Sequence, residues 1–181
     1  RDVDNVNQSY VWHQSYGNQT HDYALLNTNG AVTTGGSASW ASPSSSTVLL
    51  DLGLERKGII YVWAEIEGFS KFGSYTGNGE AENGPFVFTG FSPALVIIKE
   101  SSEAGGSWFM WDNKREVGNV KDAVLWTDYI SGGETTHAEY EIDFLSNGFK
   151  LRGNSGATND STETNLYMAW AESPFKYANA R

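Results

Sequence analysis

Three carboxylates, Glu139, Glu141 and Asp143, alternate along the chain and come closest to a catalytic pattern. The surrounding residues predict a strand over Ala138–Leu145, which would place these carboxylates on one face because strand side chains alternate. A retaining glycoside hydrolase needs two carboxyl groups roughly 5–5.5 Å apart, and Glu141 with Asp143 is the candidate pair. A further glutamate expected by such motifs is missing two or three residues after Asp143. We therefore favour a polar edge strand whose charges discourage strand addition, and we assign no catalytic residue.

The histidines give no better catalytic candidate. His13, His21 and His137 are the available bases, but the chain contains no Gly-x-Ser-x-Gly elbow to carry a nucleophile. His13 follows Trp12 in a predicted strand, and we interpret it as a packing residue. The sequence therefore predicts no serine-hydrolase triad.

Two acidic stretches contain metal-ligating side chains. Residues 2–7 include Asp2, Asp4 and Asn7, but they lack the glycine and the distal glutamate of a calcium loop. The loop around Asn159–Asp160 and Glu163 offers oxygen ligands without a recognisable spacing. We expect solvated loops, with no motif to support a structural calcium ion, and we assign no metal ligand and no cofactor.

The tryptophans divide into two groups by their neighbours. Trp63 and Trp170 lie within apolar runs and are predicted to belong to the core. Trp40 and Trp126 lie beside polar runs, where an exposed indole would offer a stacking platform for a sugar ring. Packing in the core or between subunits is the favoured interpretation, and Trp40 and Trp126 are the candidate ligand-binding residues.

The charge balance excludes some classes of partner. The 181 residues contain 12 Lys and Arg against 22 Asp and Glu, a formal net charge of −10. The basic residues are scattered, whereas nucleic-acid binding needs a basic face, so no nucleic-acid partner is expected. An anionic membrane would repel the chain, and no apolar run has the length of a membrane span, so no membrane insertion is expected.

Short apolar runs separated by clusters of Gly, Asn, Ser and Thr predict an all-β protein. About ten strands at this spacing are typical of a β-sandwich. We find no convincing helix, and Asn147–Gly148 is predicted to form a two-residue hairpin turn. The predicted strands include Ser9–His13, Thr47–Leu54, Gly58–Glu65, Phe86–Phe88, Ala94–Lys99, Ser107–Asp112, Ala123–Tyr129, Ala138–Leu145, Phe149–Leu151 and Asn165–Glu172. Of these, Gly58–Glu65 is nearly continuous and apolar, as a strand covered on both sides would be.

The two halves of the chain contain the same elements in the same order. Trp63-Ala64-Glu65 and Trp170-Ala171-Glu172 are each followed by an aromatic-Lys-aromatic stretch. This repetition predicts a first β unit over 1–78 and a second, complete unit over 79–181, with one continuous sandwich as the alternative. The run Phe86–Lys99 has no counterpart in the first unit, so we expect that unit to be incomplete at its N-terminus. Arg1 is then an internal residue of a longer chain, and Arg181 is its natural end.

Several longer segments of the sequence resemble those of a known family. They are Thr89–Lys99, Trp108–Arg115, Asp143–Lys150 and Tyr167–Arg181, with Glu67–Gly79 matching the segment that joins a preceding copy. These segments are similar to the sequences of domains at the C-termini of large structural proteins of tailed bacteriophages, notably marine phages. The resemblance covers residues 60–181 well and the earlier part weakly. Glu100 stands where a basic residue is common, which leaves the implied fold unaffected.

The resemblance implies a lectin-like (concanavalin-like) or jelly-roll β-sandwich in a virion structural protein, without an established catalytic residue. It implies a tail fibre or a head or tail appendage that contacts host glycan or neighbouring virion subunits, usually as a homo-oligomer. Two alternatives stay open. One is a glycan-active hydrolase of lectin-like fold that uses Glu141 and Asp143. The other is an architectural decoration protein of the capsid.

Overall fold

The chain folds into short antiparallel strands, which confirms the all-β prediction. The computed structural model describes residues 8–17, 20–36, 39–41, 49–51, 59–102, 106–128 and 134–174, with the backbone alone for 39–41 and 49–51. The strands are β1 Tyr10–Val11, β2 Ala24–Leu25, β3 Ser39–Ala41, β4 Leu49–Asp51, β5 Ser70–Thr76, β6 Phe86–Phe88, β7 Pro93–Glu100, β8 Trp108–Asp112, β9 Ala123–Trp126, β10 Glu134–Thr136, β11 Ile142–Leu145, β12 Gly148–Leu151 and β13 Thr164–Ala171. The helical elements among these residues are one 3-10 turn, Ala138–Tyr140, and one α-helical turn, α1 Gly156–Asn159.

Two sheets build the body of the protein. The larger one has six strands in the order β10-β9-β8-β7-β13-β5, and the smaller one has the order β11-β12-β6. β13 pairs along its length with both β5 and β7, so the last described strand lies inside the larger sheet. Two further two-stranded sheets pair β1 with β2 and β3 with β4.

The two larger sheets face each other, because side chains from both form one buried cluster. Inward positions alternate along each strand, as expected for a sandwich. The cluster consists of Val87, Phe91, Val96, Ile98, Phe109, Trp111, Val124, Ile142, Phe149, Leu151, Tyr167 and Ala169. This arrangement agrees with the predicted β-sandwich.

The opposite face of the six-stranded sheet is covered by the N-terminal segment. Tyr16 and Ala24 from that segment pack with Trp108 of β8 and Leu166 of β13 in a second buried cluster. The indole Nε1 of Trp108 donates a hydrogen bond to the carbonyl of Leu25 over 2.9 Å. Packing and hydrogen bonding therefore hold the described N-terminal residues, 8–17 and 20–36, against the sheet.

The predicted turn Asn147–Gly148 is displaced by one residue. Leu145 pairs with Gly148, so the two residues of the hairpin loop are Ser146 and Asn147. Gly148 belongs to β12, where a Cβ atom would lie 2.1 Å from the carbonyl oxygen of Val87. The glycine is needed for the close approach of β6 rather than for the turn.

The prediction of a buried strand over Gly58–Glu65 is wrong for its described part. Residues 59–65 form no strand, and Trp63, predicted to lie in the core, is 57% exposed. Pairing with β5 stops at the single bridge between Ile66 and Ser70. A continuous apolar run carries no information on whether partner strands reach it, and here none of the described strands pairs with it.

The two Trp-Ala-Glu motifs consequently have different structures. Trp170 lies in β13 and is half-buried, whereas Trp63 packs edge-to-face on it with ring centroids 6.1 Å apart. The division into units 1–78 and 79–181 stays a prediction. β5, which belongs to the first range, nevertheless lies in one sheet with strands of the second.

Substitution of a buried and of an exposed tryptophan should change the free energy of unfolding by different amounts. Trp111→Ala removes a side chain with 0% exposure and should lower the free energy of unfolding by about 3–5 kcal/mol. Trp63→Ala should lower it by less than about 1 kcal/mol, because most of that indole already faces water. Urea unfolding of both variants measures the difference, and equal losses would contradict the assignment of Trp63 to the surface.

His13 is a buried packing residue between the N-terminal segment and β13. Its Nε2 lies 3.2 Å from the carbonyl oxygen of Tyr167, and its Nδ1 accepts a hydrogen bond from the amide of Ser15 over 3.1 Å. The neutral ring with its proton on Nε2 satisfies both contacts, whereas a second proton on Nδ1 would face the Ser15 amide. Burial lowers the pKa of His13, against a smaller opposite effect of the Tyr167 carbonyl.

Acid should therefore weaken the fold through His13. Its pKa in the folded chain lies below the ordinary value of about 6.5, so the unfolded chain binds the proton more tightly. The stabilising contribution is present above about pH 6.5 and is lost as the pH falls below that value. Urea unfolding between pH 8 and pH 5.5 should show this decline in the wild type and a flatter profile in His13→Gln. The exposed His137→Gln is the matched control, and a decline that survives in His13→Gln would assign the effect to other groups.

Candidate functional site

A cavity of about 480 Å³ opens where the loop after β2 meets the ends of β8 and β9. Its volume is typical of small-molecule sites, which range over roughly 300–1,000 Å³. Aromatic side chains form one wall, and short polar side chains form the rest. The parts come from distant regions of the sequence and meet only because the N-terminal segment packs on the large sheet.

The aromatic wall consists of Phe109, Trp126 and Tyr140. The rings of Phe109 and Tyr140 stack with centroids 4.9 Å apart, and Trp126 stands nearly perpendicular to both, at 89° and 80°. These offset and edge-to-face contacts are the favoured geometries of aromatic pairs, so they restrain the half-buried indole. Trp126, one of the two predicted ligand-binding residues, thus lies on a cavity wall.

The polar part of the lining is oriented by hydrogen bonds. The two carboxylate oxygens of Asp128 accept from the Trp108 amide over 3.2 Å and from the Ser107 hydroxyl over 3.1 Å. The amide oxygen of Asn27 accepts from the backbone of Ser9 over 3.1 Å. Thr28 and Asn29 complete this rim. The site therefore presents fixed acceptors and amide groups opposite an aromatic wall.

The loop that carries the asparagines is tied to the sheet through its backbone. The Thr127 hydroxyl donates to the carbonyl of Leu26 over 3.2 Å, beside the bond from Trp108 to Leu25. The Leu26 amide donates to the carbonyl of Ser9 over 2.8 Å. These contacts set the distance between the loop and the aromatic wall.

A buried cation lies near Asp128. Lys99 of β7 is 1% exposed and pairs in register with Trp108, and its Nζ donates to the carbonyl of Gly106 over 2.5 Å. Burial lowers the pKa of Lys99, and the carboxylates of Glu100 and Asp128 oppose this shift. The lysine does not line the cavity, so its charge acts on the site only through the protein interior.

The second predicted ligand-binding residue, Trp40, has a side chain outside the described part of the structure. Its backbone lies in β3, where it pairs with Leu50 of β4. Sequence reasoning missed the polar lining altogether. Asn27, Asn29 and Asp128 lie in turn-rich stretches whose composition is ordinary for loops, and no signal within those stretches shows that they converge.

The predicted row of three carboxylates on one strand is not formed. Glu139 lies in the 3-10 turn, Glu141 follows that turn, and β11 begins only at Ile142. In this turn, the ring of Tyr140 stacks on that of Phe109. Packing of the tyrosine on the aromatic wall thus accompanies the break in the alternating pattern.

The two proposed catalytic carboxyl groups occupy different environments. Asp143 is buried, and its carboxylate accepts from the guanidinium of Arg152 over 2.5 Å. Glu141 has a raised pKa, caused first by burial and then by the carboxylates of Glu82, Asp122 and Asp143, with a smaller opposite effect of Arg152. The carboxylate of Asp143 is held by its arginine, and neither carboxyl group lines the cavity.

In the loop proposed for calcium, side-chain oxygen atoms of Asn159 and Asp160 accept hydrogen bonds from the protein. Asn159 is fully buried, accepts from the amide of Asn78 and donates to the carbonyls of Glu80 and Gly153. Asp160 accepts from the amide and hydroxyl of Thr162. Within the described ranges no group of three acidic or histidine side chains is placed to hold a metal ion. The other proposed stretch, residues 2–7, lies outside them.

Gly153 allows the chain to pass close behind the 3-10 turn that carries Tyr140. A Cβ atom at this position would lie 2.0 Å from the carbonyl oxygen of Glu139. The Gly153 amide donates to the carbonyl of Glu141 over 3.0 Å, and the Ser155 amide donates to that of Glu139 over 3.1 Å. The absence of a side chain at 153 is therefore a condition for the position of Tyr140.

Gly153→Ala should displace the 3-10 turn and lower the free energy of unfolding by about 1–3 kcal/mol, the usual cost of overpacking. Gly156→Ala is the matched control, because a Cβ there meets nothing within 4 Å. Urea unfolding and the aromatic circular dichroism of Phe109, Trp126 and Tyr140 report the two effects. A Gly153→Ala protein with both properties unchanged would show that the backbone relaxes without moving the aromatic wall.

Fold and site together define an antiparallel β-sandwich with a small cavity at one end of its larger sheet. Residues 1–174 match the family described as Domain of unknown function (DUF7483), and the chain belongs to this family. No curated protein and no solved structure matches the chain. Of the helical turns in the described residues, none is long and apolar enough to cross a membrane.

Proposed function

We propose that this chain is a glycan-binding module of a phage virion structural protein, in a tail fibre or a head or tail appendage, that attaches the particle to a host surface. The observation that carries the glycan part is the position of Trp126. A restrained indole forms the wall of a cavity whose other side is lined by fixed carboxylate and amide groups. The virion part rests on the sequence segments that resemble those of phage structural domains.

The chemistry of the cavity suits a sugar ring. One face of a pyranose carries mainly C–H groups, which pack on the electron-rich face of an aromatic ring. Its hydroxyl groups need oriented acceptors and donors, and Asp128, Asn27 and Asn29 supply both kinds. An aromatic wall combined with placed polar groups is found in many ligand sites.

A second candidate function is assembly with other virion subunits, including copies of the same chain. It is favoured by the exposed apolar stretch 59–63, where each side chain is at least 51% exposed. Contiguous apolar surface of this kind is typical of interaction sites. A purely architectural role in the capsid would use this surface and leave the cavity empty.

Trp126→Ala should weaken glycan binding at least tenfold, a change equivalent to about 1.4 kcal/mol, because the stacking platform is lost. Trp63→Ala is the matched control, since it removes an exposed indole that does not line the cavity. A glycan array with bacterial surface polysaccharides identifies ligands, and titration calorimetry compares the three proteins.

Trp126→Phe, which keeps an aromatic ring, should retain most of the affinity and guards against loss of fold in the alanine variant. Equal affinity of wild type and a folded Trp126→Ala would exclude the cavity as the binding site. An array without ligands, together with stable incorporation of the chain into particles, would favour the architectural role.

A further inference from the structure

We propose that the cavity selects uncharged sugar rings and rejects acidic ones, such as uronic acids, and that Asp128 is the residue that makes this distinction. The inference rests on the proposed function and concerns the same site. It follows from the charges around the cavity and from the way in which Asp128 is held.

The first step is the charge of the lining. Among the described residues that line the cavity, Asp128 is the one acidic residue, and none is a lysine, an arginine or a histidine. A bound carboxylate would therefore lie close to a like charge without a cation to pair with. The chain as a whole adds to the repulsion, with a formal net charge of −10.

The second step is the fixed position of the carboxylate. Each oxygen of Asp128 accepts one hydrogen bond from the protein, from Trp108 or from Ser107. Each oxygen keeps capacity for another donor, which a sugar hydroxyl provides and an ionised carboxylate does not. Since both oxygens of Asp128 are held by these bonds, the carboxylate cannot easily turn away from an anionic ligand.

The third step concerns Lys99, the buried cation that interacts with Asp128. Lys99 interacts electrostatically with Asp128, but it is 1% exposed, its Nζ is bonded to Gly106, and Glu100 also acts on it. One buried cation beside two carboxylates leaves the surroundings negative. Selection is measured at pH 8, where the carboxyl group of an acidic sugar is ionised.

The test uses matched pairs of oligosaccharides that differ only in oxidation at C6. Gluco-, manno- and galacto-oligosaccharides are compared with their C6-oxidised counterparts by titration calorimetry at pH 8 and low salt. The wild type should bind the uncharged member of a pair at least tenfold more tightly. High salt should narrow this ratio, because mobile ions screen the repulsion.

Asp128→Asn should reduce the ratio to about threefold or less. The amide is isosteric: its oxygen can accept from the Trp108 amide, and its nitrogen can donate to the Ser107 hydroxyl. The variant should therefore stay folded, with a lower melting temperature because the buried Lys99 loses one of its two carboxylate partners. Glu67→Gln, an exposed residue that does not line the cavity, is the charge-matched control and should keep the full ratio.

The outcomes separate the two proposals. If no oligosaccharide or polysaccharide binds the wild type, the proposed function fails, and the selection fails with it. If both members of a pair bind equally and Trp126→Ala abolishes both, the function stands and the selection is wrong. An unchanged ratio in a folded Asp128→Asn would overturn the role of Asp128, as would a wild-type ratio that does not respond to salt.

Discussion

The strand β13 is the constraint on which the rest of the molecule depends. It is paired on both edges and buried on both faces, with Tyr167 and Ala169 turned to the sandwich core and Leu166 turned to the N-terminal segment. A strand in this position requires two partners and two covers. The smaller sheet covers one face, and residues 8–17 and 20–36 cover the other. The carbonyl oxygen of Tyr167 also lies within hydrogen-bond distance of the His13 ring.

The cavity is a consequence of that double cover. Because the N-terminal segment lies on the outer face of the large sheet, its loop at Asn27 reaches the turn after β9 and is bonded there through Thr127. The smaller sheet lies on the other face and places the 3-10 turn, with Tyr140, beside Phe109. The ends of β8 and β9 are thus enclosed from both faces of the large sheet, and polar turn residues and aromatic side chains line one cavity there.

Much of the architecture can be predicted from the sequence, because short apolar runs such as β7 and β8, bounded by turn residues, are typical of buried strands. The site is harder, since its residues come from loops that converge only in the folded chain. Trp126 can be predicted as a ligand-binding residue because an indole beside polar residues is a candidate stacking platform. Asn27 and Asp128, in contrast, resemble ordinary turn residues. The prediction of a carboxylate row is wrong for a related reason, because the alternating pattern does not reveal the 3-10 turn over Ala138–Tyr140.

The stretch 59–65 has an apolar sequence typical of a strand, yet it does not pair with the neighbouring edge of the large sheet. β5 is an edge strand, and an open edge invites strand addition. Gln14 donates to the carbonyl of Phe72 on this edge, and Glu65 forms an ion pair with Lys71. These contacts hold the stretch near the edge through side chains, while the ladder ends at Ile66. The charged and amide groups therefore take the place of strand pairing, and the apolar residues 59–63 are left facing water.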